Sequence, residues 1–403
     1  MKALLLALLA AATLQAQPRP HTFTLPNGLR VVHLEDRERP LVRVSLLLRV
    51  LPSDTPPGRP GLALLAGRML TGPGGPRTEA VDRDLEAAGI RLDTASAPEG
   101  LTWKLAARNR EQDRAMGLLA ELVLRPVLNP QHLAACRADC MKDLFQRGAS
   151  PGDRLREALA WDPAERPTEA TLLAIGPEDL ATFQQRVFRP ERATLILHGD
   201  LGIEQAKRLV LLNFGSWPAG PTTPVMPPAA PPKMLQAQPV LIPRLGPALR
   251  IQALAPVPGD LRPEAAALLS LLVPGNPLLA PLRATWEGAG LTLTLDTTAP
   301  GAREAWALFF GRLAALAQRG FTPADLDRAR RIWGASLSLD TLNPEAQMAR
   351  AQAAQEGRLP TQEALDALTL QDLNADLRRW LTPDRLRVGA IGPAGTLEAL
   401  PTR

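Results

Sequence analysis

Short runs that alternate apolar and polar residues open the chain after residue 20. Thr22-Phe23-Thr24-Leu25 and Leu29-Arg30-Val31-Val32 flank Pro26-Asn27-Gly28. Two such runs around Asn-Gly predict a hairpin. Val42–Val50 reads as a third strand. Apolar residues then recur at helical spacing over Gly61–Leu70, and again over Thr78–Ala88, with Thr78 as N-cap and Gly89 as C-cap. Ile90–Ala95 and Leu101–Ala106 return to strand character, followed by amphipathic helices over Arg110–Val123 and Pro130–Phe145, the latter capped by Asn129. A helix over Pro177–Val187 and a buried strand over Ala193–His198 complete the first half. Strands followed by runs of helix predict an α+β layout, with helices packed on an antiparallel sheet.

Residues 218–235 are rich in Pro and have neither helical nor strand period, so they predict an extended linker. The two sides of that linker are related. At a constant offset of 193 positions, Pro130 meets Pro323, Leu133 meets Leu326 and Arg137 meets Arg330. Pro167-Thr168 meets Pro360-Thr361, Asp179-Leu180 meets Asp372-Leu373, and Gly199 meets Gly392. An ungapped offset that keeps Pro and Gly punctuation predicts an internal duplication, with one domain over 18–217 and a second over 236–403. Ligand sites favour the interface of such paired domains.

Composition narrows the function class. The chain has 403 residues, is 45% hydrophobic and 22% charged, and carries a net charge of +5. This is globular composition. The Lys and Arg residues are dispersed among Asp and Glu rather than gathered on one run, which argues against a nucleic-acid binder. Residues 1–17 (MKALLLALLAAATLQAQ) follow a Lys with an apolar run and a small residue, the pattern of a secretory signal. That run is shorter than the ~20 residues a membrane span needs, so the expectation is an exported protein, periplasmic or secreted, without stable membrane insertion. Cys136 and Cys140 are the only cysteines, four apart in a helical pattern. They read as small buried hydrophobes, and their bridging state is open.

The segments TLPNGLRVV, PGLALLAGRML, PRTEAVDRDLEAAGIRLD, LLAELVLRPVLNPQHLAACRADCMKDL and IGPEDLATFQQRVFRPERATLILHGDL, then a Pro-rich linker and a repeat, resemble in order and spacing the insulinase/pitrilysin-type zinc metallopeptidases. The likeness is to their small bacterial members, which are related to processing peptidases. The resemblance implies two insulinase-like domains. In that family the first helix carries H-x-x-E-H, whose His pair binds zinc and whose Glu is the general base. An acidic third ligand lies about 75 residues on.

Laid on Gly61-Leu62-Ala63, the pattern puts Leu64 at the first His, Gly67 at the Glu and Arg68 at the second His. Leu64 has no lone pair, Gly67 no side chain, and Arg68 is a permanent cation. The third position falls near Asp143, a single carboxylate where catalytic zinc needs three protein ligands. The family's substrate-orienting Arg and Tyr in the second domain fall near Ala280 and Leu293. The chain contains no Tyr, and Arg283 is a nearby substitute for the Arg. Arg68 and Arg283 are thus the substrate-contact candidates, and Asp143 is a remnant of the metal site. Neither zinc nor another cofactor is expected.

Other chemistries find less support. The four His (His21, His33, His132, His198) form no H-x-x-E-H, H-x-x-x-H or H-x-x-E. No G-x-S-x-G occurs. Gly72-Pro73-Gly74-Gly75 lacks the Lys-Ser/Thr of a phosphate loop. His132 and Cys136 share a helix face, but nothing completes a cysteine hydrolase. The expectation is a non-catalytic family member that pairs with an active peptidase paralogue to enclose peptides. The alternatives are a stand-alone envelope scaffold or peptide-binding module, and a peptidase with a relocated metal site.

Overall fold

The computed structural model describes residues 20–401 apart from 52–53, 72–78, 98–99, 126–131, 148–149, 161–165, 221–238, 288–289 and 383–384. The expected signal, the caps at Thr78 and Asn129, and most of the Pro-rich linker lie outside the described residues.

In chain order the first half runs β1 (His21–Thr24), β2 (Arg30–Glu35), β3 (Leu41–Arg49), α1 (Leu62–Thr71), α2 (Glu79–Ala88), β4 (Arg91–Ala97) and β5 (Gly100–Arg108). It continues through α3 (Gln112–Leu124), α4 (Leu133–Arg147), α5 (Pro151–Ala160), α6 (Glu169–Ala174), α7 (Pro177–Val187), β6 (Ala193–Gly199) and α8 (Ile203–Phe214). The second half runs β7 (Val240–Pro243), β8 (Ala248–Pro256), α9 (Pro263–Leu272), β9 (Arg283–Glu287), β10 (Gly290–Thr298), α10 (Ala302–Arg319) and α11 (Pro323–Asp340). It ends with α12 (Pro344–Gln355), α13 (Gln362–Ala367), α14 (Leu370–Trp380), β11 (Arg387–Gly392) and α15 (Ala394–Glu398). The expected hairpin forms, with Phe23 opposite Val31, and Gly28 supplies the positive φ (92°) that its turn requires. The helix expected from Arg110 begins at Gln112, because Asn109–Glu111 wind as one 3₁₀ turn ahead of it.

The chain divides into two compact units, each drawn mostly from one half of the sequence. The first comprises Met1–Cys140, Thr168–Pro224 and Leu339–Gln352. Its sheet has the order β1-β2-β6-β3-β5-β4. β6 is buried along its whole length, parallel to β2 and antiparallel to β3. Residues of α12 cover one face, where Met348 and Ala351 pack with Val32, Leu34 and Ile196.

The second unit comprises Met141–Pro167, Val225–Ser338 and Ala353–Arg403. Its sheet has the order β7-β11-β8-β10-β9, with the fully buried β11 parallel to β7 and antiparallel to β8. Here α5 covers the equivalent face, where Leu155 and Leu159 pack with Ile391, Val240, Ile242 and Leu254. Leu155 and Met348 are 193 positions apart. Each unit therefore receives one helical turn-set from the other half of the sequence, at the same place in the repeat.

Local chemistry repeats at the same offset. Thr168 caps α6 through Thr171 N, and Thr361 caps α13 through Ala364 N. Arg137 donates to the carbonyls of Leu172 and Ile175. Arg330, 193 positions later, donates to those of Leu365 (3.0 and 3.2 Å), Asp366 (2.9 Å) and Leu368 (2.9 Å). A planar guanidinium satisfies several carbonyls left free at the end of a short helix.

Candidate functional site

The site is built on α1. Its first intrahelical bond runs from Leu65 N to Gly61 O (2.9 Å), with Gly61 at φ 93° turning the chain into the helix. Leu62, Leu65, Ala66 and Met69 recur at three- and four-residue steps and are buried, so they fix which face packs on the core. That leaves Leu64, Gly67 and Arg68, spaced i, i+3, i+4, on a shared flank: Leu64 and Arg68 are half-buried and Gly67 is buried.

In the first unit, the start of α4 meets this flank. Cys136 and Cys140 are both fully buried free thiols, which settles their state as unbridged. The Cys136 thiol lies 3.8 Å from the Arg68 carbonyl oxygen, to which it donates. The Arg68 guanidinium lies beside the Cys140 thiol. Burial pushes the Cys140 thiol up to about 11, against the opposing pull of the Arg68 charge. The Cys136 thiol is raised too, by burial and then by Asp139. At the position that the family pattern assigns to the zinc helix, the fold therefore holds a guanidinium against two protonated thiols. Asp143 follows one turn later on α4, half-buried, in the stretch grouped with the second unit. Counting along the family pattern reached Asp143, whereas the residue that meets Arg68 is Cys140. Its four-residue spacing from Cys136 was the available signal.

Zinc does not fit this arrangement. Arg68 offers no lone pair and brings a positive charge, and Leu64 and Gly67 offer no donor. Among the described residues no three of His, Cys, Asp and Glu gather into a metal-holding group. The histidines sit apart. His33 Nε2 is 2.6 Å from the Leu201 carbonyl, and burial lowers its pKa. His21 stacks on His33, with ring centroids 6.3 Å apart. His132 is half-buried just before α4. His198 is buried in β6 and meets Gln347.

In the second unit, Ala280 is exposed, and Leu293 is a fully buried core residue of β10. Arg283, at the start of β9, is exposed and ion-paired with Asp296. Asp296 also accepts two hydrogen bonds from Arg250, its cross-strand neighbour on β8. Arg283 is thus presented at the surface, but its charge is shared with a carboxylate.

Two helix-covered mixed sheets thus repeat along one chain. Residues 174–278 match the family described as the peptidase M16 inactive domain. The structure of a peptidase M16 inactive domain from Pseudomonas fluorescens superposes with a TM-score of 0.76 at 19% identity, covering 93% of this chain and 98% of that one. A protease from Helicobacter pylori gives 0.77 at 15% identity, covering 94% and 100%. The first half of the periplasmic protease PqqL from Escherichia coli gives 0.69 at 14% identity, covering 94% and 93%. No curated protein sequence matches. These findings bear out the insulinase-type resemblance and the α+β fold. No helix among the described residues is long and apolar enough to cross a membrane.

Proposed function

We propose that this protein is an exported, non-catalytic insulinase-type subunit. It pairs with an active H-x-x-E-H-bearing paralogue and completes a chamber that encloses peptides. The observation that supports the reading is Arg68 against the Cys136 and Cys140 thiols, at the position the family pattern assigns to a zinc ligand. Length supports the pairing. The chain covers 93% of the first half of PqqL but 47% of the whole of PqqL, so it amounts to one of that protein's two halves. A second chain of the same kind would supply the rest. Export rests on the signal-like residues 1–17.

The test is co-expression with the H-x-x-E-H paralogue of the same genome, read by native mass and by peptide cleavage. The expected result is a mixed dimer that cleaves faster than the paralogue alone. A strictly monomeric protein without effect on cleavage overturns the reading. If that monomer binds peptides, it is a stand-alone module; if it holds stoichiometric zinc and cleaves in a chelator-sensitive way, its metal site has moved.

A further inference from the structure

The contact between β6 and α12 within the first unit has a chemistry that its counterpart lacks. At position 391 of the second unit, Ile391 packs on Leu155 and Leu159, and the polar contact beside it runs from Arg387, a permanent cation, to the Leu159 carbonyl, so no imidazole takes part. The matching position of the first unit, 193 residues earlier, is His198, only 1% exposed. Its Nε2 lies 3.2 Å from Gln347 Oε1 on α12. The Gln347 amide cannot turn round without loss, because its Nε2 donates to Thr341 O at 2.6 Å. Gln347 Oε1 is therefore the acceptor, and His198 Nε2 carries the hydrogen. An added proton must go to Nδ1, which is buried without a hydrogen-bond partner among the described residues.

The charged groups around His198 offer little compensation. Asp36 Oδ2, on the loop after β2, is 4.0 Å from Nε2, on the side already bonded to Gln347, and Arg39 is 3.9 Å from that same carboxylate. Arg43, the cross-strand neighbour on β3, adds a second positive charge. On α12, Arg350 is held by Asp340, and Glu345 is exposed. Burial, with Arg43 and Arg39, outweighs the Gln347 bond and Asp36, so the imidazole is held below its ordinary value.

We propose that His198 is an acid-sensitive latch. Its protonation releases residues 344–352 from the first sheet and uncovers Val32, Leu34 and Ile196, while the junction of α5 with the second sheet, which contains no histidine, stays closed.

The sign follows from linkage. The docked state disfavours the proton, so docking is strongest above the free value near 6.5 and weakens as pH falls through it. Between pH 7.5 and pH 5, a released imidazole of ordinary pKa gains at most about thirty-fold in opening equilibrium. Hydrogen exchange of the full chain, corrected for intrinsic rate, reads this directly. Residues 344–352 are expected to lose protection on acidification, by up to about thirty-fold, while residues 151–160 keep theirs. In His198→Asn the acid response disappears. In Gln347→Glu, which faces the imidazole with a carboxylate, opening moves to lower pH or vanishes. Unchanged protection of 344–352 in the wild type, simultaneous opening of 151–160, or an undiminished acid response in either folded variant overturns the latch. If one variant fails to fold, the other variant and the wild-type comparison still decide.

Discussion

The seal between α1 and α4 makes a quantitative prediction for thiol chemistry. The perturbation is a brief exposure of the native protein to iodoacetamide at pH 8, without reductant. Only the thiolate reacts. The Cys140 thiol, raised from 9.0 to about 11, is about 0.1% ionised at that pH, against about 9% for the unperturbed group. Ionisation alone therefore slows Cys140 alkylation about a hundred-fold, and its full burial slows it further. Peptide-resolved mass spectrometry of native and urea-unfolded protein is the assay. The unfolded chain takes up two labels without reductant, since both cysteines are free, and the native chain takes up neither on that timescale. Native labelling of Cys140 within a few-fold of the unfolded rate would refute the packing of Arg68 on α4. Failure of the unfolded, unreduced chain to label would refute the free thiols. Linkage adds a second readout. The folded state holds the proton more tightly, so stability is lost as pH rises past about 9, where the unfolded thiols ionise.

Two further outcomes concern the repeat. Arg330→Met leaves the carbonyls of Leu365, Asp366 and Leu368 without their guanidinium and should cost about 2–4 kcal/mol in urea unfolding. Arg137→Met should act in the same direction, and Lys at either position should restore little, because it lacks the planar fork. Leu155→Ala and Met348→Ala empty equivalent places under the two exchanged helices and should each cost about 2–5 kcal/mol by the same measurement; a near-zero effect at either would mean that its helix does not pack on its sheet.

Much of the fold was legible because it is local. Asn27-Gly28 announced the β1–β2 turn, and the alternation over 42–50 became β3, whose buried Val42, Val44, Leu46 and Leu48 face one side. The constant 193-residue offset found the duplication, and the structure explains why those positions keep their identities. Thr168 and Thr361 cap equivalent short helices, and Arg137 and Arg330 hold the carbonyls at their ends. At Gly199, φ is 141°, and a side chain would run into the Leu41 carbonyl, so a glycine is required there.

What stayed hidden depends on distant partners. Helical spacing marks Leu155 and Leu159, or Met348 and Ala351, as a buried stripe, but it carries no information about which sheet the stripe covers. The same limit explains the candidate site. Counting from Arg68 to a carboxylate reached Asp143, because an acidic ligand was sought. The position that meets Arg68 is set by the register of α4, which already turns Cys136 and Cys140 inward together. With Arg68 beside it, a carboxylate at position 140 would form a buried ion pair whose desolvation offsets much of its Coulomb gain. A thiol avoids that cost: it stays protonated and fills the volume without carrying charge.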